Sequence, residues 1–124
     1  MTRIVVAGSP RAGKSTLASR LGIARVRSAD EVMGLGWSEA SELIAGSWFD
    51  EPGPWVIEGV AAGRALRKWL AANPEGRPCD RLLVLERPCE ALSKGQATMG
   101  KGVQTVLNEI RGELERRGVV VEYP

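Results

Sequence analysis

Apolar residues along the chain fall into short blocks, some with the continuous character of buried strands and others with helical spacing. Arg3 to Ala7 is a β-branched run closed by Gly8 and predicts a buried parallel strand. A helix is expected from about Lys14 to Leu21, with Gly22 as its stop. Ala24 to Arg27 predicts a weaker second strand leading into Ser28-Ala29-Asp30. Ser38 to about Trp48 reads as a helix with Leu43, Ile44 and Trp48 on one face, and Pro52-Gly53-Pro54 then breaks the chain. Trp55 to Ile57 predicts a third strand that delivers Glu58-Gly59 at its carboxyl end. Gly63 to Ala72 follows as a helix with Leu66, Trp69 and Leu70 inward, and Asn73 to Pro78 as a turn. Leu82 to Leu85 is the clearest strand pattern; it ends at Glu86, and Pro88 suits the first turn of a short helix. The glycine-rich, polar stretch from Gly95 to Gly102 is expected to be a mobile loop. Val103, Val106, Leu107, Ile110 and Leu114 mark one face of a helix to Arg117, capped by Gly118 before a fifth strand at Val119 to Val121.

Five strands alternating with helices imply right-handed crossovers and a parallel sheet covered on both faces, an α/β architecture of three αβα layers. The 124 residues suit one such domain, residues 1–124, with no repeat, linker or low-complexity tract. Met1 to Ala7 carries no export signal and no apolar stretch reaches membrane-spanning length, so a cytoplasmic location without membrane contact is expected. The two cysteines, Cys79 and Cys89, are too few for a disulfide framework and are read as ordinary thiols. Histidine is absent, which excludes imidazole bases, Ser-His and Cys-His nucleophile pairs and most zinc sites. Any catalysis must use carboxylates, Lys and Arg, hydroxyls, backbone amides and hard cations.

The net charge of +2 does not argue for nucleic acid, but the charges are segregated. Arg3 to Arg27 carries only cations, whereas every charged residue from Asp30 to Gly63 is acidic, and a second basic zone runs from Arg64 to Lys101.

Between the first predicted strand and the first predicted helix lies Gly8-Ser9-Pro10-Arg11-Ala12-Gly13-Lys14-Ser15, which satisfies G-x-x-x-x-G-K-[ST], the P-loop or Walker A pattern. Its glycines let successive N–H groups curl inward as an anion nest at the mouth of a helix, so ATP or another nucleoside triphosphate is the expected ligand, with Mg²⁺. Gly8, Ser9, Arg11, Ala12, Gly13, Lys14, Ser15 and Thr16 are the candidate nucleotide-binding residues. Lys14 is expected on the β- and γ-phosphates and the Ser15 hydroxyl on the metal. Arg11 is equally readable as a solvated side chain, and Thr16 as a packing or capping residue.

Gly8 to Leu17 followed by Ser28-Ala29-Asp30 resembles the P-loop kinases of the adenylate kinase-like group, especially the kinase module of polynucleotide kinases. The likeness covers about the first thirty residues and is topological beyond them. It implies a P-loop fold with a five-stranded parallel sheet, and it makes Asp30 the general base toward the hydroxyl that receives the γ-phosphoryl group; helix capping is the rival role. Glu58 resembles the third-strand acid that helps hold Mg²⁺, and Glu86 resembles a Walker B acid; Glu58 is favoured, with pairing to Arg64, Arg67 or Arg87 as the rival role of either. The resemblance also implies arginines in a lid, where this chain offers only Arg87, Lys94 and Lys101.

Because the acidic block between strands two and three holds no Lys or Arg, a hydroxyl acceptor on a sugar, nucleoside or nucleic-acid end is favoured over a nucleoside monophosphate. Arg64, Arg67, Lys94 and Lys101 are the candidate acceptor-side cations, and a polynucleotide backbone would run along Arg64, Arg67, Lys68 and Lys101. Trp37, Trp48, Phe49 and Trp55 are read mainly as core, with stacking on an acceptor ring as the alternative. Two functions follow: an ATP-dependent kinase with Lys14, Asp30 and Glu58 as its catalytic residues, or a nucleotide-binding module or weak NTPase that serves a partner. The identity of the acceptor and the oligomeric state are left open.

Overall fold

A computed structural model describes residues 2–8, 12–85 and 93–124. Ser9, Pro10, Arg11, Glu86, Arg87, Cys89 and the short helix expected at Pro88 lie outside these residues. Along the chain come β1 (Arg3–Gly8), α1 (Lys14–Arg20), β2 (Val26–Ser28), a 3₁₀ segment (Ala29–Leu35) and α2 (Trp37–Leu43), which runs into a π-helical turn (Ile44–Trp48). β3 (Trp55–Glu58), α3 (Ala62–Ala72), β4 (Arg81–Leu85), α4 (Lys94–Arg116) and β5 (Val120–Glu122) complete the order.

All strands are parallel, in the order β2-β3-β1-β4-β5. The three central strands are apolar runs because both of their faces are covered. Val5, Ala7, Ile57, Leu82 and Val84 belong to a core built with residues of α3, α4 and the π turn, including Leu66, Leu107, Ile110, Leu114 and Trp48. Their neighbours Ile4, Val6, Val56 and Leu83 pack the other face, under Leu17, Ala18 and Leu21. The result is a three-layer αβα arrangement around a five-stranded parallel sheet. α1 and α3 leave the adjacent strands β1 and β3 toward opposite faces, so a crevice opens at the carboxyl ends of this pair, where open α/β sheets place ligands. No described helix is long and apolar enough to cross a membrane.

Two elements depart from the sequence pattern. Gly95 to Gly102 is not a loop: α4 is continuous from Lys94. Its start is held by a reciprocal cap in which the Ser93 hydroxyl accepts from the Gln96 N–H at 3.2 Å and the Gln96 side chain accepts from the Ser93 N–H at 3.0 Å. Each glycine costs a helix about 1 kcal/mol against alanine, but the apolar stripe from Val103 onward anchors the helix and Gly100 is buried in the same body. Ser93→Ala should therefore lower stability by about 1 kcal/mol, read as a shift of the urea midpoint. Across α2 and the π-helical turn, Ala40, Ser41, Ile44 and Trp48 are the buried residues, and Leu43 lies beside them, 41% exposed.

Candidate active site

The site is assembled by three strand ends. β1 closes on Gly8, whose φ is 154°; a Cβ there would stand 2.2 Å from the Leu85 carbonyl oxygen, so only glycine lets this end of β1 lie against β4. Ala12 is buried and Gly13 leads directly into α1. Lys14, the first residue of α1, is 8% exposed. Burial pulls its ammonium below the usual lysine value, and the nearby Glu58 and Asp30 carboxylates oppose that shift.

Glu58 ends β3 opposite Val6 and is buried, and its Oε1 accepts a hydrogen bond from the Ser15 hydroxyl at 3.2 Å. Gly59 follows with its N–H donating to the Val6 carbonyl at 3.2 Å. Its φ is 142°, and a Cβ on it would stand 2.6 Å from that of Ala29. The end of β3 is thus pressed against the start of the 3₁₀ segment, which brings Asp30 to Glu58. Gly59→Ala should destabilise the protein by about 1–3 kcal/mol through this clash and the strained φ, measurable by urea denaturation.

Asp30 is exposed, and its carboxylate has no hydrogen bond or ion pair among the described residues. The cap of the 3₁₀ segment is supplied by Ser28, whose hydroxyl accepts from the Asp30 N–H at 3.2 Å. The Asp30 carboxylate does not do this work. Gly13, Lys14, Ser15, Thr16, Asp30 and Glu58 line one cavity of about 260 Å³. Glu58 makes no ion pair with Arg64 or Arg67; it is engaged by Ser15.

A second group of side chains gathers between α2, α3 and α4. The Arg64 guanidinium lies 5.1 Å from the centroid of the Trp37 ring. Arg67 pairs with Glu109 at 3.3 Å, and the Lys68 ammonium donates to the Ser38 carbonyl at 2.8 Å with Glu42 3.7 Å away. Two cavities flank Arg64. One of about 540 Å³ is bounded by Trp37, Met99, Thr98 and two glycines of α4, and one of about 260 Å³ by Ser38, Ser41, Arg67 and Lys68. Lys94 and Lys101 are exposed on α4 and line neither these cavities nor the one at Lys14. Trp48, Phe49, Trp55 and Trp69 are core, and Trp37 is the tryptophan at a cavity. Its place, like those of Thr98 and Met99, is invisible in a sequence where α4 looks like a loop.

No protein-family model matches the chain, and no curated protein matches it. Among solved structures, a shikimate kinase from Acinetobacter baumannii in complex with shikimate aligns over 98% of this chain and 82% of its own, with a TM-score of 0.49 and 14% identity. What the site can do is therefore set by its own groups. One buried ammonium beside two carboxylates leaves the cavity net negative, which favours a divalent cation or a ligand that arrives with one. The Ser15 hydroxyl and the Glu58 carboxylate are hard oxygen donors of the kind Mg²⁺ takes, and that ion needs only one or two protein ligands when phosphates and water supply the others. The Asp30 carboxylate, on the same cavity and without a hydrogen bond among the described residues, can receive a proton.

Proposed function

We propose that the chain is an ATP-dependent P-loop phosphotransferase that moves the γ-phosphoryl group of Mg-ATP to a hydroxyl-bearing or nucleotide acceptor. The observation that carries this reading is the convergence of Lys14, Ser15, Asp30 and Glu58 on one cavity at the carboxyl ends of β1, β2 and β3. The amides from Gly8 to Ser15 hold the phosphates, with Ser9, Arg11, Ala12 and Thr16 as neighbouring contacts, and Lys14 neutralises charge on the transferring group. Ser15 and Glu58 would hold Mg²⁺, which when bound supplies charge neutralisation at the β- and γ-oxygens.

In the transfer, the acceptor oxygen forms a bond to the γ-phosphorus while the bond to the β,γ-bridging oxygen breaks. The proton of the acceptor hydroxyl passes to Asp30, and ADP leaves with the electron pair. Positioning and electrostatics supply most of the acceleration in such a step. The test is a screen of γ-phosphoryl transfer from radiolabelled ATP to nucleosides, nucleotides, sugars, sugar phosphates and 5′-hydroxyl oligonucleotides. Label appearing in one acceptor class supports the kinase; label released only as inorganic phosphate overturns it.

One observation favours the second reading, a nucleotide-binding module or weak NTPase acting with a partner. Neither Lys94 nor Lys101 lines the cavity at Lys14, and the described part of α4 before Arg111 carries no arginine to stabilise charge on the moving phosphoryl group. The same screen separates the two, because a partner-dependent NTPase labels no small acceptor.

A further inference from the structure

The two outer strands of the sheet, β2 and β5, are finished in different ways. At β2, Arg25 and Arg27 both reach the Glu51 carboxylate, Arg27 also stands 3.8 Å from Glu31, and its guanidinium covers the Trp48 ring at 3.7 Å from the centroid. Charges set along an edge discourage pairing with another strand. β5 has no such guard. Val119-Val120-Val121 is a β-branched run in which Val120 is 54% exposed, and Tyr123 just beyond it is 40% exposed. The one charged residue of β5, Glu122, is turned back to Arg81 of β4 at 2.7 Å. No described residue pairs with the outer side of β5.

The register decides which backbone groups face outward. The Val120 N–H donates to the Asp80 carbonyl at 3.1 Å, so Val120 bonds toward β4, and in a parallel ladder Glu122 does the same. The N–H and C=O of Val121 therefore point away from the sheet. Side chains alternate with them: Val121 packs on the core under α4, while Val120 and Glu122 lie on the α1 face with Leu83. A residue that turns both of its backbone groups outward is self-complementary, because an identical strand set antiparallel donates and accepts at once. α4 repeats this symmetry one layer away. Glu109 faces α3 through Arg67, whereas Arg111 stands over the Tyr123 ring at 5.0 Å, so Gln104, Asn108, Arg111 and Glu115 form the stripe on the β5 side. The Val119 N–H donates to the Leu114 carbonyl, so α4 runs back along β5, with Arg111 level with its end and Glu115 with its start. A two-fold axis at Val121 sets Arg111 opposite Glu115 of the second copy, and the stripe has no net charge to repel its own image.

We propose that two copies of this chain pair through β5, antiparallel about a two-fold axis perpendicular to the sheet at Val121, and join two five-stranded sheets into one of ten strands. The Val121 N–H donates to the carbonyl of the partner's Val121, and its own carbonyl accepts in return. Val120 then stands opposite the partner's Glu122 on the α1 face. The occupant is a second copy because the outward backbone groups, the valine run and the Arg111 and Glu115 charges each complement themselves. β5 does not line the Lys14 cavity, and the pairing is independent of the phosphotransferase reading. A short strand and one helix stripe bury little surface, so the dissociation constant is expected on the order of micromolar rather than that of an obligate dimer.

The test combines sedimentation velocity with amide hydrogen exchange on the full chain. Between about 1 μM and about 1 mM the sedimenting mass should rise from one chain to two. Over the same range, exchange of the Val121 amide, read by NMR, should slow by about tenfold, while the Val120 and Glu122 amides, bonded to β4 in either state, should not respond to concentration. Two variants at the exposed position 120 separate this pairing from simple stickiness. Val120→Glu puts a carboxylate opposite the partner's Glu122 twice over and should raise the dissociation constant about tenfold or more; Val120→Lys puts a cation there and should raise it far less. Loss of apolar surface alone would make the two variants equal, and that result overturns the proposal. A dimer whose Val121 amide stays unprotected overturns it as well. So does a chain that remains monomeric at about 1 mM, which would leave the edge to an extended segment of some other protein. The wild-type measurements decide the matter even if a variant does not fold.

Discussion

Asp30→Asn should reduce the rate of γ-phosphoryl transfer by about 10²- to 10⁴-fold, the usual worth of a positioned general base. Affinity for Mg-ATP should be unchanged. The substitution keeps the shape of the side chain and removes its basicity, and it breaks no protein hydrogen bond among the described residues, because Ser28 and not Asp30 caps the 3₁₀ segment. The effect should thus fall on kcat with little change in the urea midpoint. Steady-state kinetics on whichever acceptor the screen identifies, with nucleotide titrations alongside, provide the check. Transfer at the wild-type rate would remove Asp30 as the base and leave only its field at Lys14.

The second large effect is expected at Lys14. Replacing it with methionine should weaken Mg-ATP binding on the order of a hundredfold, since a charge-assisted contact to phosphate is lost from a poorly hydrated site. The rise in melting temperature that ATP gives the wild type should vanish with it. The same residue sets a pH dependence whose sign follows from its environment. Burial lowers its pKa in the folded chain below 10.5, while the unfolded chain keeps that value. At neutral pH the ammonium is charged in both states, and its burial costs stability; the cost is relieved as pH rises through the folded pKa toward 10.5. Nucleotide affinity runs the other way. It should be level at neutral pH and fall on the alkaline side, beginning below pH 10.5, as the free protein loses the cation the phosphates need. Lys14→Arg, which does not deprotonate in this range, should flatten that limb even where it lowers affinity overall. Calorimetric titration of Mg-ATP across pH would show both, and an affinity independent of pH up to 10.5 in the wild type would contradict the assignment.

Much of this architecture is written in local pattern. The runs at Ile4 to Ala7, Trp55 to Ile57 and Leu82 to Val84 declare buried strands because each must be apolar on two faces at once. The spacing from Val103 to Leu114 declares the buried side of α4, and the pattern from Gly8 to Ser15 places its turn between a strand and a helix. Each is a signal that repeats within a few residues and survives without knowledge of the rest of the chain.

Other features needed the folded chain. The first two turns of α4 look like a loop because glycine has low helical propensity, and they are helical because the packed stripe that follows and the Ser93 cap carry them. The 3₁₀ segment from Ala29 to Leu35 is too short and irregular to leave a period. Three acids at strand ends are alike in sequence, yet Glu58 takes the Ser15 hydroxyl while the Asp30 carboxylate has no hydrogen bond or ion pair among the described residues.

What the sequence determined on its own, then, was the alternation of strands and helices along the chain. Tertiary structure alone decided which side chains meet: Ser15 with Glu58 across 43 positions, Lys68 with Ser38 across 30, and Arg64 with Trp37. The reason is physical. Periodicity is imposed by the covalent geometry of neighbouring residues, whereas the choice of partner depends on distances through space that are set only when the strands have found their order.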